Sequence, residues 1–209
     1  MSAPTRIAVF VSGGGRSLEN LVQVIERGEL DARIAIVLSS TSKAGALARA
    51  ARLGIPAVVI DPERKLAPLA YSRDAFAAVE SAGADVVVLA GFLRFLPIPT
   101  HWIGRVLNIH PALLPAFGGK GFYGDRVHKA VLERGVQFTG CTVHYVDNEY
   151  DHGPILLQRC IPVRPDDTPE SLAARVFEEE KIAYPEAIRL FQEGQLSIDG
   201  RRVRIATKR

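Results

Sequence analysis

Three short stretches of this chain carry residue types suited to chemistry. The first is Asn108-Ile109-His110, within RVLNIHP at 105–111. Side chains two apart on a strand lie on one face, so an amide donor and an imidazole project together. An imidazole moves protons near neutral pH and a neutral amide hydrogen-bonds a developing oxyanion, which suits the pair to a reacting carbonyl. The second is DNEYDHG at 147–153, which places Asp147, Glu149 and Asp151 in a turn. A carboxylate there could orient His110 and favour its protonated form. The third is VSGGGRS at 11–17, between a strand and a helix. Its glycines permit a tight turn, and the helix N-terminus offers unpaired N–H groups to an anion such as phosphate.

Each stretch also has an ordinary alternative. The glycine loop is neither a dinucleotide fingerprint nor a P-loop, because Leu18 stands where the last glycine belongs and no G-K-[ST] follows. An isolated N-x-H also fits a structural histidine beside a turn-making asparagine, and acidic turns arise from local backbone hydrogen bonding. His101, His128 and His144 have no partner at metal-ligand spacing and His152 merely adjoins a carboxylate, so all four read as structural and no metal is expected. No serine or cysteine sits in a nucleophile pattern.

Positioning these residues requires a regular frame, and the apolar periodicity supplies one. Strands are predicted at 6–11, 33–38, 57–60, 84–91 and 105–111, alternating with helices at 17–27, 44–53 and 71–81. Continuous apolar strands separated by helices imply a parallel sheet covered on both faces. A glycine-rich loop at 112–124 and a helix at 125–134 follow. Two runs at 137–146 and 155–163 flank the acidic turn and read as antiparallel strands. A capped helix from Thr168 to Phe191, kinked at Pro185, and a hairpin at 196–205 complete the chain.

The 209 residues are 47% hydrophobic and 23% charged, enough apolar content for a core and one domain. That excludes disorder and disulfide-dependent miniproteins. Cys141 and Cys160 read as buried free thiols. The longest purely apolar run, Val86 to Ala90, is far below a membrane span, and the N-terminus lacks a signal-peptide layout, so a cytoplasmic protein is expected. The net charge of +3 resides in the last nine residues, RRVRIATKR, which hold five of the 26 basic residues; the remainder carries 21 bases against 23 acids. Such a tail reads as a solvated end, and nucleic-acid binding is not expected, although a non-catalytic nucleotide- or RNA-binding module is the rival reading from another class.

LAGFLRFL at 89–96, LNIHPALLP at 107–115 and YDHGPILLQ at 150–158 together resemble the folate-dependent formyltransferases, most closely the branch acting on glycinamide ribonucleotide. The resemblance runs from the glycine loop to about Pro185. It implies an α/β, Rossmann-like fold, a mainly parallel twisted sheet with helices on both faces and an antiparallel C-terminal extension. It also implies a single domain, with residues 6–104 as the ribonucleotide half, 105–195 as the folate and catalytic half, and 196–209 as hairpin and tail. The implied partners are small molecules, glycinamide ribonucleotide and the co-substrate 10-formyltetrahydrofolate, with no metal and no membrane, in a monomer or homodimer. The family's catalytic residues fall on Asn108, His110 and Asp151, and its ribonucleotide contacts on Gly15, Arg16, Ser17 and Glu180. Its folate contacts fall on Arg73, on Leu93, Arg94, Phe95 and Leu96, on Asn108, and on Asp147, Asn148, Glu149 and Tyr150. The implied reaction is direct acyl transfer, with Asn108 and protonated His110 stabilising a tetrahedral oxyanion. Departures are the long 115–131 stretch, His152 in place of a glycine, and Arg16 in place of a small residue. Formyltetrahydrofolate deformylases and methionyl-tRNA formyltransferases share the core but carry a further domain, for which 209 residues are expected to leave no room.

Overall fold

The computed structural model describes residues 3–61 and 67–206, so Lys208 and Arg209 of the expected basic tail lie outside the described residues. The chain forms two compact units, one ending at Leu107 and the other beginning at Asn108.

In the first unit, β1 (Thr5–Val11), β2 (Ala32–Ser39), β3 (Ala57–Val59) and β4 (Val86–Leu89) alternate with α1 (Arg16–Glu26), α2 (Gly45–Arg52) and α3 (Pro68–Ser81). The strand order is β3-β2-β1-β4 and every pairing is parallel. Strand β1 is buried from Ile7 to Val11 and β4 throughout, as expected of central strands covered on both faces. Helix α1 buries Leu18, Leu21 and Val24, one apolar stripe, while its other face stays polar. Helix α3 begins at Pro68 rather than Tyr71, because proline at the first helical position needs no N–H partner.

In the second unit, β5 (Val106–His110, its first two residues still in the first unit), α4 (Asp125–Arg134), β6 (Phe138–Tyr145), β7 (Ile155–Pro162), α5 (Pro169–Gln192), β8 (Leu196–Asp199) and β9 (Arg202–Ile205) follow in chain order. The strand order is β5-β6-β7-β9-β8. Strands β6 and β7 are antiparallel, β7 and β9 parallel, and β8 and β9 close as the expected hairpin. Helix α5 opens on a capping box between Thr168 and Ser171 and runs through Pro185 without interruption.

The reading of both cysteines as buried needs one correction. Cys141 on β6 is buried, which pushes its thiol up to about 12 and leaves it inert, whereas Cys160 is exposed. Side chains alternate along β7, and the buried Ile161 puts its neighbour Cys160 on the outer face. Among the described residues no helix is long and apolar enough to cross a membrane.

Candidate active site

In the second unit, β5 ends by presenting Asn108 and His110, and the turn joining β6 to β7 returns Asp151 to them. Asp151 Oδ2 lies 3.5 Å from His110 Nδ1. Its Oδ1 accepts a long hydrogen bond of 3.4 Å from Asn108 Nδ2. The spacing argument for Asn108 and His110 and the separate reading of Asp151 therefore meet in one cluster.

The backbone is shaped to allow this. Asp151 adopts the left-handed region at φ 52°, which aspartate tolerates better than most residues but which the surrounding turn must hold. Its Oδ2 also accepts from Gly119 N at 2.8 Å, tying the acidic turn to the 112–124 loop. A side chain on Gly118 would run into Leu114 and stand 3.3 Å from the Asp151 Cβ, so glycine permits that approach. The loop itself is anchored on Thr142. Its hydroxyl donates to Ala112 O at 2.7 Å and accepts from Leu114 N and from Gln158 Nε2, each at 3.0 Å. A cis peptide joins Leu114 to Pro115.

His144, read from sequence as structural, belongs to the cluster. Its Nδ1 donates to Tyr145 O at 2.8 Å, leaving Nε2 to accept from Asn108 Nδ2 at 3.0 Å. That ring orients the Asn108 amide. The pairing of β6 with β7 shifts register between Val143 and His144, and such irregularities re-aim side chains beside sites. The available signal was Thr142-Val143-His144, a second i, i+2 polar pair at the end of a strand.

The electrostatics correct one expectation. Nε2 of His110 donates to Phe117 O at 2.8 Å, and Nδ1 faces Asp151. The carboxylate and the carbonyl both favour the imidazolium, but burial of the ring outweighs them and holds His110 below the ordinary histidine value. The neutral ring is thus the resting form at neutral pH. Asp151 stays below the usual carboxylate range: burial opposes its ionisation, but hydrogen bonds and the neighbouring histidines together outweigh it.

In the first unit, Gly15 caps α1 at φ 80° with no side-chain hydrogen bond to the first turn. A Cβ on Gly15 would stand 2.7 Å from the Ala46 Cβ, so α2 packs against the loop. Arg16 is exposed and Ser17 half-buried. Sequence reasoning missed Arg49, whose Nε donates to Gly14 O at 2.7 Å while its guanidinium pairs with Glu19. The segment after β4 is tied to the same loop, because Leu93 N donates to Ser12 Oγ at 3.0 Å. Leu93, Arg94 and Phe95 are exposed and Leu96 is buried.

The remaining expected contacts fall elsewhere. Arg73 lies on α3 beside Asp74 and lines a cavity of about 390 Å³ with Phe76, Glu80, Pro97 and His101. Glu180 is half-buried on α5 and raises the Cys141 thiol. Asp147 is engaged within its own turn, Oδ1 accepting from Glu149 N at 2.9 Å and Oδ2 from His152 Nδ1 at 2.7 Å. Asn148, Glu149 and Tyr150 are exposed at the tip. Among the described residues no group of three or more His, Cys, Asp or Glu is placed to hold a metal ion.

Residues 5–188 match the formyl transferase family model. Among curated proteins, the chain is 34% identical over 194 residues to phosphoribosylglycinamide formyltransferase of Escherichia coli K12, covering 92% of this chain and 89% of that protein. It is 40% identical to the chloroplastic phosphoribosylglycinamide formyltransferase of Vigna unguiculata, covering 91% of this chain and 62% of the relative. The chain therefore spans about three fifths of that plant protein. A crystal structure of glycinamide ribonucleotide transformylase 1 from Symbiobacterium toebii superposes with a TM-score of 0.92 at 41% identity, covering 99% of this chain and 96% of the other.

Proposed function

Since the chain belongs to the formyl transferase family, we propose that it transfers a formyl group from 10-formyltetrahydrofolate to the amine of glycinamide ribonucleotide, a step of purine synthesis, in the cytoplasm. The observation that carries this reading is the convergence of Asn108 and His110, an oxyanion donor and a buried base, on the Asp151 carboxylate, which lies within 3.5 Å of each.

Attack of the amine on the formyl carbon gives a tetrahedral oxyanion directly, with no covalent enzyme intermediate. Asn108 Nδ2 exchanges its weak 3.4 Å bond to Asp151 for that oxyanion while keeping its bond to His144. His110 is neutral at rest because its pocket excludes water. Negative charge developing beside it makes the imidazolium favourable, so the stabilisation is larger in the transition state than in the ground state. The proton that must leave the attacking amine passes through Asp151 to the His110 Nδ1 that faces it, and from that imidazolium to the folate nitrogen as the formyl C–N bond to that nitrogen breaks. Gly15, Arg16 and Ser17 hold the phosphate and Glu180 contacts the ribonucleotide. Leu93 to Leu96, Arg73, Asn108 and the 147–150 turn serve the folate. Arg16 adds a cation to a site otherwise made of N–H groups.

Mixing the protein with both substrates and following the donor by ultraviolet absorbance tests the reading. Loss of the donor only when the nucleotide is present is the expected result. Loss without nucleotide indicates hydrolysis of the donor, and no loss overturns the assignment.

A further inference from the structure

His152 follows Asp151 directly, and a contact from the far end of the chain holds it. Its Nδ1 donates to Asp147 Oδ2 at 2.7 Å, and its Nε2 accepts from an Arg201 guanidinium nitrogen at 2.6 Å. The second terminal nitrogen of Arg201 donates to the His152 carbonyl at 2.8 Å. One guanidinium thus grips both the ring and the backbone of a single residue. Between a carboxylate acceptor and a guanidinium donor, only the neutral ring protonated at Nδ1 satisfies both contacts.

Arg201 is itself fixed. It follows the Asp199-Gly200 turn of the β8–β9 hairpin, where Gly200 takes φ 60°, and the next residue, Arg202, pairs with Ile155 at the start of β7. On the other side of His152, Gly153 packs so closely on the Tyr145 carbonyl that no side chain fits there. Asp151 in the left-handed region and Gly153 against β6 therefore flank a residue tied down from outside the turn. A left-handed non-glycine conformation persists only where its surroundings over-determine it.

We propose that Arg201 and Asp147 are positioning residues for the reaction: they clamp His152 and thereby hold the neighbouring Asp151 in its reactive backbone geometry. This rests on the role given to Asp151 under Proposed function. The clamp is partly exposed, with side-chain exposures of 45% for His152 and 35% for Asp147, so it acts on local geometry more than on global stability.

Steady-state kinetics and amide hydrogen exchange of residues 147–153, on the full chain, test it with Arg201→Ala, Arg201→Lys and His152→Ala. Arg201→Ala is expected to speed exchange in the turn and lower kcat about 3- to 10-fold, short of the roughly 100-fold cost of a 1 Å misplacement, with the nucleotide KM unchanged. His152→Ala, which keeps the carbonyl contact, should lose less, and Arg201→Lys should recover part of the loss. Unchanged exchange, or faster exchange with unchanged kcat, overturns the proposal, and so does a raised KM at constant kcat. If the wild type transfers no formyl group while exchange still responds to Arg201→Ala, the functional reading falls and the clamp is supported.

Discussion

His110 and Asp151 face each other at 3.5 Å, yet burial of the imidazole outweighs the carboxylate and the ring rests neutral. The pair is therefore set to take up a proton during a reaction rather than to store one beforehand.

That balance has a consequence for stability. The folded-state value of His110 lies below the unfolded value of about 6.5, so the unfolded chain binds the proton more readily in the window below that value. The contribution is intact above about pH 6.5 and is lost as pH falls through it. Urea midpoints measured near pH 7.5 and near pH 5.5 should differ more in the wild type than in His110→Gln; equal differences would contradict the neutral resting ring.

Asp151→Asn isolates the carboxylate, because asparagine also tolerates the left-handed backbone that Asp151 adopts at φ 52°. We expect kcat to fall by about 100-fold or more with the circular dichroism spectrum unchanged. A normal kcat would remove Asp151 from the mechanism.

Asn108→Ala removes the proposed oxyanion donor and leaves His144 Nε2 without its 3.0 Å partner. A loss of about 10²–10³ in kcat is expected from single-turnover measurements. A change confined to KM would mean that Asn108 binds substrate equally in the ground and transition states.

Gly15→Ala places a methyl 2.7 Å from the Ala46 Cβ on a backbone at φ 80°. The variant should raise the nucleotide KM and lower stability by about 1 kcal/mol or more, read by kinetics and thermal melting. An unaltered nucleotide KM would place the phosphate elsewhere.

Thr142→Val leaves the Ala112 carbonyl and the Leu114 amide without their hydroxyl partner inside the protein. Destabilisation of about 2 kcal/mol or more is expected in urea unfolding. Activity should fall as well, because the same hydroxyl anchors the loop that carries Phe117 and Gly119 to His110 and Asp151.

What the sequence by itself determined follows from local backbone geometry. Period-2 and period-3.6 patterns define the strands and helices, the i, i+2 rule puts Asn108 and His110 on one face, and the glycine run marks where α1 must begin. Tertiary structure decided the rest, because each remaining feature depends on residues far apart in the chain. Asp151 reaches Asn108 across 43 positions. His144 enters the cluster because a strand neighbour and a register shift direct its ring to Asn108. The resting charge of His110 is set by burial, which no spacing encodes. The grip of Arg201 on His152 spans 49 positions and exists only because the terminal hairpin pairs with β7. Periodicity is a property of neighbouring residues, whereas proximity and desolvation arise only when the sheet has brought distant ones together.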